Sequence, residues 1–176
     1  DASSVDGKSD QLVIQYQVLQ DGLRDCEGNT IAASDVVIER YFLRQDLLSS
    51  ETPKPYALAC AAFRLATLAG ANTAQGSIIM SRVDDFSVVL GTSNAAGWRY
   101  YDLKAYKDLA GAKPNIRTVR LAALVRSSNI DPSTKGIKKA ATYAFLNETV
   151  AVPNPNDGYA RRVFMSTVSF RNSLGG

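Results

Sequence analysis

Two segments in the last third of the chain alternate apolar and polar residues, as half-buried β-strands do. In Asn115–Ser127, one face carries Val119, Leu121, Ala123 and Val125, and the other carries Thr118, Arg120 and Arg126. In Arg161–Asn172, one face carries Phe164, Val168 and Phe170, and the other carries Val163, Met165 and Thr167. The pattern predicts two long strands of a sheet that carry several arginines.

Earlier segments show this alternation or are rich in β-branched and aromatic residues. Further strands are predicted at Leu12–Leu19, Asp35–Arg44, Tyr56–Thr67, Phe86–Leu90, Trp98–Tyr101 and Thr142–Asn147, although the alanines of Tyr56–Thr67 also favour a helix. Asp102–Leu109 is predicted as a short helix, turns are predicted at Asp84-Asp85, Gly91–Gly97 and Val152–Tyr159, and Asn129–Lys139 is predicted as a loop. The elements together indicate an α+β protein with mainly antiparallel β structure.

Length and composition favour one domain over residues 1–176. Residues 1–10 are polar and are interpreted as a linker or a cut edge, so we expect an excised domain whose natural N-terminal segment is missing. No apolar run approaches the length of a membrane helix, and no signal peptide is present. The net charge is only +3, and Lys135, Lys138 and Lys139 are interpreted as a solvated loop, so no specific nucleic acid is expected.

Candidate chemistry is sparse because the chain contains no histidine, which excludes Ser-His-Asp, Cys-His and histidine–metal sites. Asp84 and Asp85 are adjacent, so on a strand they point to opposite faces and do not form an acid pair. Asn154, Asn156 and Asp157 offer oxygen atoms but lack a calcium-loop pattern. No catalytic, cofactor-binding or metal-binding residue is predicted, and the protein is predicted not to be an enzyme.

Two features leave alternatives open. Cys26 and Cys60 form either one disulfide, which implies an oxidising compartment, or two buried free thiols. The aromatic residues Trp98, Tyr100 and Tyr101 are interpreted as packing onto the core, with stacking on a sugar or a base as the alternative.

Several segments together resemble the PilW-type minor pilins of bacterial type IV pili. They are Gly7–Tyr16, Asp25–Asn29 followed by Val36–Phe42, Cys60, Arg82–Val88, Val119–Ser127 and Arg162–Asn172. Each motif is short, but their order and the final Arg171-Asn172 carry the resemblance. Such pilins begin with a cleavage site and a long apolar helix, which this sequence lacks, so the resemblance implies a truncated pilin-like globular domain.

The resemblance also implies a function and a location. The protein is expected to be a minor pilin at or near the pilus tip that primes assembly with other minor pilins, with the major pilin or a tip adhesin as further partners. It would support twitching motility, adhesion or DNA uptake. Its missing helix would anchor it in the inner membrane, facing the periplasm of a Gram-negative bacterium, before assembly into the extracellular pilus. Cys60 falls where the family tends to place the partner of the Cys26 turn.

Two other classes of protein compete with this interpretation. A minor pseudopilin of a type II secretion system would share most of these motifs. A secreted carbohydrate-binding β module would use Trp98, Tyr100 and Tyr101.

Overall fold

The computed structural model describes residues 9–67, 75–94, 97–130, 140–146, 148–152 and 154–170. The strands are β1 Leu12–Gln17, β2 Leu23–Arg24, β3 Thr30–Ile31, β4 Val36–Gln45, β5 Tyr56–Arg64, β6 Ser77–Ser81, β7 Val83–Asn94, β8 Gly97–Asp102, β9 Ile116–Ile130, β10 Thr142–Phe145, β11 Glu148–Ala151 and β12 Tyr159–Ser169. A single 3-10 turn spans Leu65–Thr67, and one helix, α1, spans Leu103–Lys107. The chain divides into two compact units, Asp1–Asp84 and Asp85–Gly176.

The first unit is built on a four-stranded sheet with the order β1-β4-β5-β6, and each neighbouring pair is antiparallel. Alternation predicted β1, whereas β-branched and aromatic residues predicted β4. One face buries Val37 together with Val18 and Ile31, which belong to the segment between β1 and β4. The opposite face buries Phe42 against two alanines of β5.

The alanines of β5 pack in a strand rather than in the helix that their propensity favours. Ala57, Ala59 and Ala61 are fully buried, because β5 lies between β4 and β6 in the sheet. Tertiary burial therefore outweighs intrinsic helix propensity in this segment. The prediction of a strand here is confirmed.

The second unit is built on a four-stranded sheet with the order β12-β9-β7-β8. The two long arginine-bearing strands lie side by side as an antiparallel pair, in which Phe164 faces Ala123 and Val168 faces Val119. The hairpin of β10 and β11 contributes Phe145 to one buried cluster of this unit, where it packs with Ala122, Leu124 and Val152.

The predicted turn at Asp84-Asp85 is wrong and the turn predicted at Gly91–Gly97 begins too early, because β7 runs without a break from Val83 to Asn94, where it pairs with Gly97 of β8. The chain changes direction earlier, at Arg82, which has a φ of 60°. Gly91 belongs to the strand, and its missing Cβ has a packing role. A Cβ there would lie 2.1 Å from Oγ1 of Thr118, so only glycine permits the close approach of Thr118 and the Tyr100 ring.

The predicted α+β fold class is confirmed only in part, because the described residues are mostly antiparallel strand with one short helix. No helix within the described ranges has the length and hydrophobicity that crossing a lipid bilayer requires. Strand β11 was not predicted, and the first two residues of the predicted loop Asn129–Lys139 belong to β9, which extends to Ile130; the rest of that loop lies outside the described residues. The predicted linker up to residue 8, Lys135, Lys138, Lys139 and the final Arg171-Asn172 lie outside the described residues. The single domain stays a prediction.

Candidate functional site

A disulfide joins Cys26 to Cys60, so the predicted pairing is present in the structure. Cys26 lies in the turn between β2 and β3, whereas Cys60 is fully buried near the middle of β5. The two Cα atoms are 6.1 Å apart and 34 residues separate them in the sequence. The bond therefore fastens a surface turn to the centre of the first sheet.

Glu39 of β4 lies beside this disulfide and accepts three hydrogen bonds. The Tyr16 hydroxyl donates to its Oε1 at 3.0 Å, and the Cys26 backbone N–H donates to the same oxygen at 2.9 Å. The Tyr41 hydroxyl donates to Oε2 at 2.7 Å. Because Glu39 is buried, these donors replace the water that its carboxylate loses on folding. The carboxylate thus ties the cysteine turn to both β1 and β4.

Two further carboxylates hold the same turn. Oδ1 of Asp25 accepts hydrogen bonds from the backbone N–H groups of Glu27 and Asn29, at 3.0 and 2.9 Å. Oδ2 of Asp25 pairs with the Arg64 guanidinium of β5 at 3.1 Å. The Glu27 carboxylate accepts from the backbone N–H of Ala62 at 2.8 Å. Four side chains and one covalent bond therefore fix the turn of residues 25–29 on the sheet.

The cluster of Cys26, Glu39 and Cys60 brings three potential metal-ligand atoms within 4.8 Å of one another. The two sulfur atoms are bonded to each other, however, and a metal requires free thiolates. The cluster therefore stabilises the fold of the oxidised protein.

Deprotonation of Tyr16 at alkaline pH should weaken the contacts of this cluster. Burial, then the hydrogen bond and the charge of Glu39, raise the pKa of Tyr16 from 10.0 to about 12. A pKa that is raised on folding gives stability that is fully present below the unfolded value and is lost as the pH rises through the folded value. We expect the free energy of unfolding to fall between about pH 10 and pH 12, with a smaller fall in Tyr16→Phe.

Urea unfolding at a series of alkaline pH values would measure this dependence. Tyr100→Phe is the matched control, because Tyr100 is an exposed tyrosine of the second unit. If Tyr16→Phe and the original protein lose stability equally across this range, the proposed titration of Tyr16 is wrong.

The second unit exposes an aromatic surface on β8. Trp98 and Tyr100 point to the same face and are 53% and 39% exposed. The Arg120 guanidinium of β9 lies 4.0 Å from the centre of the Tyr100 ring. Tyr101 points to the other face and makes an edge-to-face contact with Tyr106 of the following segment. We name Trp98, Tyr100 and Arg120 the aromatic patch.

The Arg120 guanidinium gives the aromatic patch a positive charge that can bind a hydrogen-bond acceptor of a partner. Within the described ranges no carboxylate forms an ion pair with Arg120, whose guanidinium contacts the Tyr100 ring instead. Cation–π contact orders a guanidinium while leaving its N–H groups able to bind an acceptor. The prediction that these aromatic residues pack onto the core is wrong for Trp98 and Tyr100, which are exposed, whereas Tyr101 is half-buried against Tyr106.

β12 forms the other edge of the second sheet and also exposes apolar residues. Phe164 is 52% exposed, Met165 is 64% exposed and Val168 is 46% exposed. Exposed apolar side chains grouped on one edge strand are typical of surfaces that contact other chains.

The acidic residues considered for chemistry have structural roles or lie apart. Both oxygens of Asp157 accept hydrogen bonds from Arg161, at 2.9 and 2.5 Å. Burial acts to raise the pKa of Asp157, but the hydrogen bonds from Arg161 and the Tyr159 backbone, together with nearby positive charge, leave the pKa below its usual range. Asp84 and Asp85 are neighbours on β7, so their side chains point to opposite faces.

Comparison with known proteins decides the family. Residues 40–172 match the family model described as type IV pilus-assembly protein W, PilW. The chain belongs to the PilW family. Among solved structures, this PilW-family chain is similar to a type IV-like pilin from Thermus thermophilus, at 15% identity and a TM-score of 0.46. That similarity covers 96% of this chain and 82% of the other. No curated protein matches the sequence.

Sequence reasoning found the disulfide of this PilW-family protein but missed Glu39 and its partners. A signal was present, because Glu39 falls in the apolar run Val36–Phe42, where a charged residue implies buried partners. Asp25 and Arg64 gave no comparable signal, since only the fold brings the turn and β5 together.

Proposed function

We propose that the protein is a non-enzymatic minor pilin that primes assembly of a type IV pilus at or near its tip, together with other minor pilins. The match to the PilW family over residues 40–172 carries the proposal. The described residues also fit a structural role, because their buried polar groups hold a turn in place and the sequence has no histidine.

The proposed location follows from the family. A PilW-family protein belongs to the cell envelope and the pilus. We infer that the protein has a pilin-like fold and that an N-terminal helix outside this sequence anchors it in the inner membrane. After assembly it would lie in the extracellular pilus. Contributions to twitching, adhesion or DNA uptake would follow indirectly from assembly.

The aromatic patch is proposed as the contact for another minor pilin. Tryptophan, tyrosine and arginine are the residues that most often dominate protein interfaces. Most acidic residues of the sequence precede residue 85, and most basic residues follow it. The second unit, which carries the patch, therefore favours a partner with an acidic surface, whose carboxylate would accept hydrogen bonds from Arg120.

The test measures binding between this protein and each of the other minor pilins of its own pilus. We expect Trp98→Ala and Arg120→Glu to weaken binding to at least one of them by about tenfold or more, because both remove central interface contacts. Leu48→Ala is the matched control, since Leu48 is 95% exposed and lies in the first unit. Equal binding by the variants and the original protein would overturn the proposed contact.

A carbohydrate-binding module is the second candidate, because Trp98 and Tyr100 are exposed on one face of β8, as sugar-stacking residues are. The same variants separate the two functions when they are also assayed on a glycan panel. Glycan binding that Trp98→Ala abolishes, without binding to any minor pilin, would favour the carbohydrate module. A pseudopilin role would instead show as binding to the minor pseudopilins of a type II secretion system.

A further inference from the structure

Within the described residues, β12 ends its sheet as a long edge strand, and its stretch Val163–Ser169 lacks the usual protection against pairing. It ends the sheet order β12-β9-β7-β8, and within the described part of the chain its ladder partner is β9. Proteins protect such edges with proline, lysine, inward charges or bulges. The stretch Val163–Ser169 contains none of these residues, and the register shift of β12 falls earlier, between Tyr159 and Arg161.

The hydrogen bonds to β9 show which backbone groups of β12 point outward. The N–H of Phe170 donates to the carbonyl of Arg117 at 3.0 Å. Backbone groups alternate in direction along an antiparallel strand, so Phe164, Ser166 and Val168 also bond toward β9. The N–H and C=O groups of the alternate residues point away from the sheet; these residues are Val163, Met165, Thr167 and Ser169.

We infer that the β12 strands of two copies of this chain pair antiparallel, with Ser166 of each copy facing Ser166 of the other. In this register Met165 faces Thr167 and Val163 faces Ser169. The backbone N–H and C=O groups of these four residues point away from β9, so each facing pair exchanges two backbone hydrogen bonds. A register shifted by one residue would place outward groups opposite inward ones and lose these bonds.

The side chains of β12 are complementary in the same register. Phe164 of one copy faces Val168 of the other on the same face, in the closer type of pair, and both side chains are about half exposed in one copy. Each of these contacts occurs twice, because the pairing is two-fold symmetric. The register that pairs the outward backbone groups of β12 therefore also brings the exposed side chains of Phe164 and Val168 into contact.

The charges on β12 also permit a second copy as the occupant. Arg162 is exposed and would face Phe170 of the other copy, where a guanidinium can lie on the aromatic ring. The two copies of Arg162 fall at opposite ends of the paired strands, so like charges do not meet. Arg161 already pairs with Asp157 in its own chain. The residues on the two sides of Ser166 are thus complementary to each other, as antiparallel pairing with a second copy requires. Pairing with an unrelated strand would not require this complementarity.

Cysteine cross-linking tests the register directly. In Ser166→Cys the two introduced residues would face each other with Cα atoms about 4.5 Å apart, which suits a disulfide. In Ser169→Cys they would be separated by about 20 Å along the strands. Because Cys26 and Cys60 are bonded to each other, the new residue supplies the reactive thiol. We expect mild oxidation to give at least about tenfold more covalent dimer from Ser166→Cys than from Ser169→Cys.

Sedimentation velocity on the purified 176-residue chain tests the pairing without cross-links. Thr167→Pro removes an outward N–H but no bond to β9, so this edge position tolerates proline and the variant should fold. We expect a dimer from the original protein and from Thr167→Ala, and a monomer from Thr167→Pro with unchanged circular dichroism. A monomeric original protein at high micromolar concentration, or equal cross-linking of the two cysteine variants, would overturn the inference.

The pairing of β12 goes beyond the proposed function and can fail separately. If the chain stays monomeric but the aromatic patch still binds another minor pilin, the second-copy pairing is wrong and the proposed function stands. If the chain forms the β12 dimer but binds no minor pilin, the proposed function is wrong and the pairing stands.

Discussion

Replacing Cys26 and Cys60 together with serine is expected to lower the free energy of unfolding by about 4 kcal/mol, which is the chain-entropy value for a loop of this length. The bond closes a loop of 34 residues in sequence separation. The double variant avoids leaving one unpaired thiol. A loss of this size is a large fraction of the stability of a typical domain, which is about 5–15 kcal/mol.

In the double variant, the turn of residues 25–29 should lose non-covalent contacts with the sheet as well as the disulfide. Glu39 accepts a hydrogen bond from the Cys26 backbone, and Asp25 pairs with Arg64. Both contacts depend on the turn lying against the sheet, so we expect the Cys26→Ser, Cys60→Ser variant to lose hydrogen-exchange protection at the backbone N–H of position 26, which donates to Glu39. Urea unfolding followed by circular dichroism would give the stability change, and hydrogen exchange would show where it falls.

Alkylation and mass measurement provide the control for this result. The original protein should take up alkyl groups on Cys26 and Cys60 only after reduction, because the two residues are bonded. Two freely alkylated thiols in the unreduced protein, or a double variant as stable as the original, would contradict the prediction. Glu27→Gln is a useful companion variant, since it weakens the bond to Ala62 without touching the disulfide.

The strands with strict periodicity or a clear β-forming composition could be predicted from the sequence. β9 and β12 alternate over many residues, β4 is rich in β-branched and aromatic residues, and each lies within one or a few residues of its predicted range. The turns failed at Asp84-Asp85 and at Gly91, because both positions carry residues that usually end a strand. What overrides that tendency is packing, since Gly91 makes room for Thr118 and Tyr100.

The parts of the candidate site that escaped prediction depend on contacts between distant segments. Arg120 and Tyr100 are neighbours only because β9 and β8 flank β7 in the sheet. The net charge of +3 was also uninformative, because it conceals an excess of acidic residues before residue 85 and of basic residues after it. Periodicity reveals which face of a strand is buried, but it does not reveal which strand becomes an edge.

Phe145→Ala is expected to lower the free energy of unfolding of the second unit by about 3–5 kcal/mol, the usual cost of emptying a buried phenylalanine site. Phe145 is fully buried and packs with Ala122, Leu124 and Val152. The space it fills lies between β9 and the hairpin of β10 and β11. Since Phe145 lies in the hairpin and Val152 follows its last strand directly, removing the ring should loosen the whole hairpin.

Phe164→Ala is the matched control for Phe145→Ala, because it removes the same side chain from the edge strand of the same unit. Phe164 is 52% exposed, so its removal should cost only about 1 kcal/mol or less. Trp98 is the only tryptophan in the sequence and lies in this unit, so its fluorescence reports unfolding there. The two variants should also separate stability from association, because only Phe164 lies on the proposed pairing edge. Equal destabilisation by the two variants would mean that the Phe145 cluster does not stabilise the second unit more than the exposed edge does.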